Sequence, residues 1–404
     1  MRTFGSWRWH AAVAVLGLAV VLGWYWLQPE ASAQESATAV AAAASPAAAL
    51  PGAQGPGGGG PVSAAEAARR EREVRASVRL ERAEQLYRSY RESTRFPPDS
   101  RPLEEHPDQA RPFAPVQDEA RLRDSAGRPV AGVRIRSTQD RVFVTGMESA
   151  LFTLEAVDDE GRPVPLVVRR SVAQSIPDSK TLMTVVHADV PFADDGAGAD
   201  DVAGDGRHAA RLTPATQGFA GRPGTIRLVV ELIANDQQGG AAFDLVYLPE
   251  VAGAWSGVRE ALENGALNFY LQAQVRVAGR YVASARVQDA NGVPLALLQF
   301  NDVAGPGPVE FRLPLAGLLV HEKSPAFPLR LVDVEAFLLR PDVFPDRTMM
   351  PRLAGVAHVS QRYSMENFST QEWQSEQRDR YLAEYLRDVT RAEDELKEVT
   401  QPRR

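Results

Sequence analysis

Residues Leu267 to Val277 read LNFYLQAQVRV. Phe269, Leu271, Ala273, Val275 and Val277 fall on one face, while Tyr270, Gln272, Gln274 and Arg276 fall on the other. A period of two with one apolar side is the mark of a strand buried on one face and wet on the other. Working outward, the same alternation appears at Arg141 to Thr145, Ala150 to Val157, Thr181 to Val190, Thr225 to Ile233 and Ala242 to Leu248. It continues at Arg280 to Val287, Val309 to Leu313 and Leu329 to Leu338. Many short strands separated by turn residues predict a mainly β chain built of antiparallel sandwiches.

A short repeat supports this reading. Asp-x-x-Gly-x-Pro occurs at Asp124, Gly127, Pro129, again at Asp158, Gly161, Pro163, and at Asp289, Gly292, Pro294. The Asp bonds turn amides, the Gly takes positive φ, and the Pro opens the returning strand where no ladder donor is required. Each copy therefore reads as a hairpin. Between the two β stretches lies Gly253 to Gly265 (GAWSGVREALENG), which is rich in helix formers and marks the expected boundary. Two tandem antiparallel β-sandwiches follow, over residues 112–252 and 257–340, with an irregular Pro-containing segment at 341–368.

Helices flank them. Ser63 and Glu66 form a capping-box pattern ahead of a charged amphipathic helix over 63–95, closed by Pro97 and Pro98. Its stripe is Ala76, Leu80, Ala83, Tyr87 and Tyr90, and eight Arg against six Glu between Ser63 and Ser93 make it net positive. A second pattern, Ser369 with Glu372, opens a C-terminal amphipathic helix over 369–400 with the stripe Leu382, Tyr385, Val389, Ala392, Leu396 and Val399. Both stripes, 76–90 and 382–399, have the spacing of coiled-coil seams. Each either docks within the chain or takes a protein partner, including a second copy.

The N-terminus gives an address. Residues 1–10 carry Arg2 and Arg8, and 11–27 (AAVAVLGLAVVLGWYWL) are uncharged and end in Trp24, Tyr25 and Trp26. The pattern is that of a transmembrane signal anchor in the inner membrane, with the bulk of the chain in the periplasm or otherwise outside the cytoplasm. Ala31-Ser32-Ala33 offers the alternative of cleavage near Ala33 and secretion. Residues 28–62 are Ala, Pro and Gly-rich and read as a disordered linker.

Composition excludes several classes. The 404 residues carry a net charge of −7, which invites no nucleic acid. Cysteine is absent, so thiolate catalysis, zinc-thiolate sites and disulfides are all ruled out. Gly-x-Ser-x-Gly, His-Glu-x-x-His, P-loop and dinucleotide glycine patterns are missing too, so no catalytic residue is assigned.

The densest polar cluster is ADDGAGADDVAGDG at 193–206, with Asp194, Asp195, Asp200, Asp201 and Asp205. Carboxylates this close repel one another, and a hard cation with six to eight oxygen ligands relieves them, which makes calcium the candidate cofactor. The spacing is not that of an EF-hand, so a solvated loop is the other reading. His187 and His208 flank the loop and offer an alternative His/Asp set if their strands are adjacent.

The acidic run, followed by Leu212-Thr213-Pro214, resembles bacterial extracytoplasmic choice-of-anchor X domains across about Phe143 to Pro249. Where such domains place an aromatic after the last Gly, this chain has Arg207 and His208. The resemblance implies an Ig-like sandwich in a cell envelope and carries over no catalytic residue. Two readings of function follow. One is a membrane-anchored, envelope-exposed binding or scaffolding protein without catalytic activity. The other is an envelope hydrolase or carbohydrate-binding protein using sandwich loops, with Phe269, Tyr270 and Tyr281 as a sugar platform.

Overall fold

The structure, a computed structural model, describes residues 63–177 and 184–401. The predicted anchor at 11–27, the linker at 28–62 and the Ala33 site lie outside the described residues. Among those residues no helix is long and apolar enough to cross a membrane. The chain divides into two compact units, Met1–Glu71 and Arg72–Arg404. In the first, Ser63 and Glu66 exchange the reciprocal bonds of a capping box, Glu66 N to Ser63 Oγ at 3.2 Å and Ser63 N to Glu66 Oε2 at 3.1 Å.

Helix α1 is Ala64–Ser93. The strands follow as β1 (Ser100–Pro102), β2 (Val116–Arg123), β3 (Pro129–Gln139), β4 (Phe143–Thr145), β5 (Ala150–Val157), β6 (Leu166–Ser175), β7 (His187–Asp189) and β8 (His208–Leu212). Next come β9 (Gly224–Ala234), β10 (Gln237–Leu248), β11 (Gly253–Glu263), β12 (Ala266–Val275), β13 (Gly279–Gln288), β14 (Pro294–Ala304) and β15 (Gly307–Leu315). Helix α2 (Gly317–Lys323), β16 (Arg330–Leu339), β17 (Arg347–Met349), β18 (Leu353–Val359) and α3 (Glu376–Thr400) complete the chain.

The protein is mainly β, in three sheets. Leu267 to Val275 lie in β12, the centre of a three-stranded sheet β11-β12-β15, whereas Val277, expected on the buried face, falls beyond the strand and is exposed. Phe269 stands opposite Leu313, and Leu271 opposite Phe311, all fully buried. Their core is shared with the inner face of a six-stranded sheet, β1-β14-β13-β16-β17 with β18 also on β16, through Tyr281, Ala283, Leu298 and Ala336. Trp255 packs edge-on against Phe311 with centroids 6.1 Å apart, and its indole donates to Pro351 O at 2.7 Å. This second β region buries Phe and Leu side chains worth about 1.5–3 kcal/mol each.

The first β region is one nine-stranded sheet in the order β7-β6-β9-β10-β2-β3-β5-β8, with β4 added parallel to β10. Residues from both ends of that order, including Ala173, Leu228, Phe152 and Leu212, share a single core, so the sheet folds over on itself. The weak point of the ladder is β10 to β2, joined at Gly240 opposite Arg123.

Several boundaries differ from the sequence reading. Gly253 to Glu263, rich in helix formers, is strand β11, its propensity overridden by pairing with β12, and it carries a β-bulge between Trp255 and Gly257. The bulge inserts one residue, so Trp255, Val258 and Leu262 all reach the core with helix-like spacings of three and four. The second β region accordingly starts at 253, and it also takes β1 from ahead of the first region, paired as Ser100 opposite Leu298. A strand of three residues containing a proline leaves no periodicity to read. The segment expected to be irregular, 341–368, contributes β17 and β18. Helix α3 begins at Glu376, capped by Ser375 Oγ accepting from Arg378 N at 3.1 Å, so Ser369 and Glu372 are not its cap.

The three Asp-x-x-Gly-x-Pro turns share one geometry. Each Asp Oδ1 accepts amides two and four residues on, at 2.8–3.0 Å, and each Gly has φ near +80°. The first and third join the hairpins β2-β3 and β13-β14. After Asp158 the strands part instead, β5 pairing with β3 and β8 while β6 pairs with β9.

The second half of α1 runs antiparallel to α3. Arg79, at the middle of α1, meets Glu395 near the end of α3 at 2.6 Å, and Tyr90 packs at a tilt against Tyr381 and Tyr385, with ring centroids 5.7 and 5.2 Å apart. The predicted stripes are buried or half-buried, with Ala76, Val389 and Ala392 buried, and α3 also buries Arg378, which lies outside its stripe. At the foot, the buried Arg378 donates to Thr94 Oγ1 at 3.1 Å and to Glu372 at 2.5 Å, while Arg91 reaches the other Glu372 oxygen at 3.1 Å.

Candidate functional site

The acidic loop is held at its base by the strands it connects. Ala193 and Ala209 form an isolated antiparallel bridge, N to O 3.0 and 2.8 Å, so residues 194–208 leave and return at one point beside β8. Glycines at 196, 198, 204 and 206 take positive φ and let the chain coil back over the carboxylates.

Of the five predicted aspartates, the structure gathers three. One oxygen each from Asp194, Asp200 and Asp205 lies within 4.8 Å of the others. Calcium–oxygen bonds of about 2.3–2.6 Å place ligand oxygens at such separations, so the set fits a hard cation. Asp195 and Asp201 stand outside the group: both are exposed, and Asp195 turns its Oδ1 onto its own loop at Ala197 N, 3.0 Å. In a coiled loop, neighbours in sequence point apart, which is why adjacency overcounted the ligands.

The loop also relieves charge by itself. Asp194 accepts the amides of Gly204 at 2.7 Å, Asp205 at 3.2 Å and Gly206 at 3.0 Å, and the buried Asp200 accepts Gly196 N at 2.7 Å. Carboxylate lone pairs remain beyond these bonds. The arrangement is thus a preformed nest of three acids.

His187 and His208 do not form the alternative set. His187 lies on β7, paired with β6, while His208 lies on β8, paired with β5. Nor do the three aromatics make a platform. Phe269 and Tyr281 are fully buried in the core, and Tyr270 lies under the Arg259 guanidinium at 3.7 Å with its hydroxyl on Glu263. Strand alternation put Phe269 and Tyr270 on opposite faces from the start.

One polar cluster escaped the sequence altogether. Glu260 on β11, its side chain 6% exposed, accepts from Gln361 N at 2.7 Å and from the Tyr363 hydroxyl at 3.0 Å, and meets His358 Nε2 at 3.1 Å. Burial and the Glu260 acceptor push the Tyr363 hydroxyl up to about 12. The cluster ties the edge of the three-stranded sheet to the segment following β18. Its members are about a hundred residues apart, and no motif links them.

The class defined by this fold is a mainly β protein of three sheets with a clasped helix pair. No family model and no curated protein matches the chain. Among solved structures it is similar to a DUF4785 family protein from Legionella pneumophila, at 11% identity and a TM-score of 0.38, over 56% of this chain and 57% of that one. The chain thus spans a little over half the length of that relative. Fainter likenesses are to latent PorU from Porphyromonas gingivalis (8% identity, TM-score 0.16, 60% and 34% coverage) and to the YadV chaperone (13% identity, TM-score 0.15, 54% and 99%).

Proposed function

We propose that this chain is a membrane-anchored, envelope-exposed binding or scaffolding protein. Residues 11–27 anchor it in the inner membrane, 28–62 form the tether, and two antiparallel, Ig-like β-sandwiches are displayed outside the cytoplasm. The observation that carries the reading is the clasp of α1 on α3. The second half of the helix next after the tether is joined, by Arg79–Glu395, the Tyr90 ring contacts and the Arg378–Thr94 bond, to the last helix of the chain. The displayed part is thereby attached through paired helices and not through a loose strand, as a stalked module requires. The apolar span, the Ala/Pro/Gly tether and the choice-of-anchor X resemblance of the acidic loop support the address. In this reading the acidic loop takes calcium at Asp194, Asp200 and Asp205.

Protease protection tests the proposal. Added to spheroplasts, protease should digest the β regions while the chain stays in the membrane fraction, and a chain starting at Gln34 should be released. Protection of the β regions in intact spheroplasts, with digestion only after lysis, would overturn it.

A further inference from the structure

Where the helix pair meets the second β region, four separated segments converge. They are 95–99, the β11-β12 turn at 264–266, the end of β15 with the start of α2 at 312–318 and the stretch 369–374, and they line a cleft of about 360 Å³. That size lies at the lower end of small-ligand sites, about 300–1,000 Å³.

The cleft holds two opposite charges that do not meet. Asp99 and Arg312 both line it, and burial pushes the Asp99 carboxyl up while Arg312 draws it back down. Among the described residues they make no ion pair with each other. Arg312 Nε donates to Asn268 Oδ1 at 2.9 Å, and its terminal nitrogens have no hydrogen-bond acceptor among the described residues. The side-chain amides of Asn264, Gln371 and Gln374 and the indole N–H of Trp373 line the same cleft and are likewise without protein partners among those residues. The other charges there are engaged: Glu372 with Arg91 and Arg378, and Arg95 with Glu92 and Glu322.

A ligand joining these groups must donate to a carboxylate, which only accepts, and accept from a guanidinium, which only donates. A hydroxyl does both. An anion would face Asp99 and Glu372, and a cation would face Arg312 and Arg95, so the ligand is neutral. Trp373, with Pro97 and Pro314, supplies the apolar wall on which the C–H face of a sugar ring packs. From this we infer that the cleft binds a neutral saccharide of one or two residues, its hydroxyls bridging Asp99 and Arg312. The inference does not rest on the scaffolding reading, and either can fail alone.

The test uses the full chain in a detergent without a sugar headgroup. Glucose, galactose, N-acetylglucosamine, maltose and cellobiose are titrated by calorimetry and by tryptophan emission, with N-acetyl-alanyl-alanine amide as the peptide probe. At least one sugar should bind and alter the emission. Asp99→Asn and Arg312→Gln should each weaken it by about tenfold or more and the exposed Gln374→Ala by about fivefold, since hydrogen bonds to charged groups are the stronger ones. Circular dichroism melting confirms that each variant is folded, and Gln374→Ala keeps the test decisive if a charge variant is not. No heat from any sugar at ~10 mM, well above the millimolar limit of weak binding, would overturn the inference. Sugar binding unchanged in the folded variants, or tighter binding of the dipeptide, would overturn it equally.

Discussion

Replacing Gly317 by alanine should destabilise the second β region, although alanine is the better helix former. Gly317 opens α2 without positive φ, so helix propensity alone favours alanine by up to about 1 kcal/mol. Packing decides otherwise. A Cβ there would fall on Gly265 O and Ser369 N and lie 2.7 Å from Ser369 O, all backbone atoms with no side chain to swing aside. Those atoms are themselves bonded, Ser369 N to Gly265 O at 2.9 Å, so relief of the overlap breaks that bond. Overpacking of about 1–3 kcal/mol and a lost hydrogen bond of about 1 kcal/mol outweigh propensity of up to about 1 kcal/mol, leaving a net loss of about 1–3 kcal/mol. Urea unfolding followed by tryptophan emission reads this directly. The tryptophans of the β-rich part are Trp255 and Trp373, both outside the first β region. Gly305→Ala is the control, at an exposed turn position with open space around the Cβ, and should be neutral or slightly stabilising. If Gly317→Ala unfolds at the same urea concentration as Gly305→Ala, the close approach is not real.

Other outcomes follow from single residues. Arg286, 1% exposed, makes five hydrogen bonds to Gln109, Ser284, Asp333 and Glu335. Arg286→Met should cost about 3–5 kcal/mol, seen in urea unfolding as a lower midpoint, and a loss under about 1 kcal/mol would contradict its role. Glu310 is held down to about 2 by the Arg259 guanidinium first and the Gln272 amide second. Because the folded value is depressed, its contribution is present above the unfolded carboxylate range and fades as pH falls through about 2. The stability gap between wild type and Glu310→Gln should close between about pH 5 and pH 2 and shrink with salt, and a gap independent of pH would refute the pairing. For the acidic loop, a calcium Kd of about 10⁻⁴–10⁻³ M would stabilise the first β region by about 1.4–2.7 kcal/mol at ~10 mM. That region has no tryptophan, so calorimetric melting is the readout. The shift should vanish in Asp200→Asn, and no shift in the wild type would remove the ion.

What the sequence made legible was whatever a local period can encode. The alternation of β12, the Asp-x-x-Gly-x-Pro turns and the stripes of α1 and α3 depend on neighbours within a few residues, and each appears in place. Strand β11 shows the limit, since its helix-forming residues are overridden by pairing with β12, and its bulge hides the strand period that would have corrected them. β1 shows another, because three residues acquire strand geometry only from β14, nearly two hundred positions away. At the acidic loop the sequence supplied the residue types, but the coil selected Asp194, Asp200 and Asp205 from five. The cleft at Asp99, Arg312 and Trp373 is assembled from segments whose spacing along the chain carries no signal.

The position of β1 changes how the whole chain is understood. The core of the second β region draws on Phe96, then on nothing until Ala252, and continues to Phe368. The core of the first draws only on residues between Leu122 and Tyr247. The first region is therefore an excursion from the second, inserted between β1 and β11, and the two are not beads in series. Contact between them is narrow: Arg352 over Phe113 at 5.0 Å and Arg347 over Phe143 at 5.5 Å. Helix α3, the part of α1 paired with it and the cleft belong with the second region, and the acidic loop belongs with the first. An ion bound at Asp194, Asp200 and Asp205 would stabilise its own core with little effect on the other, because few contacts carry the coupling.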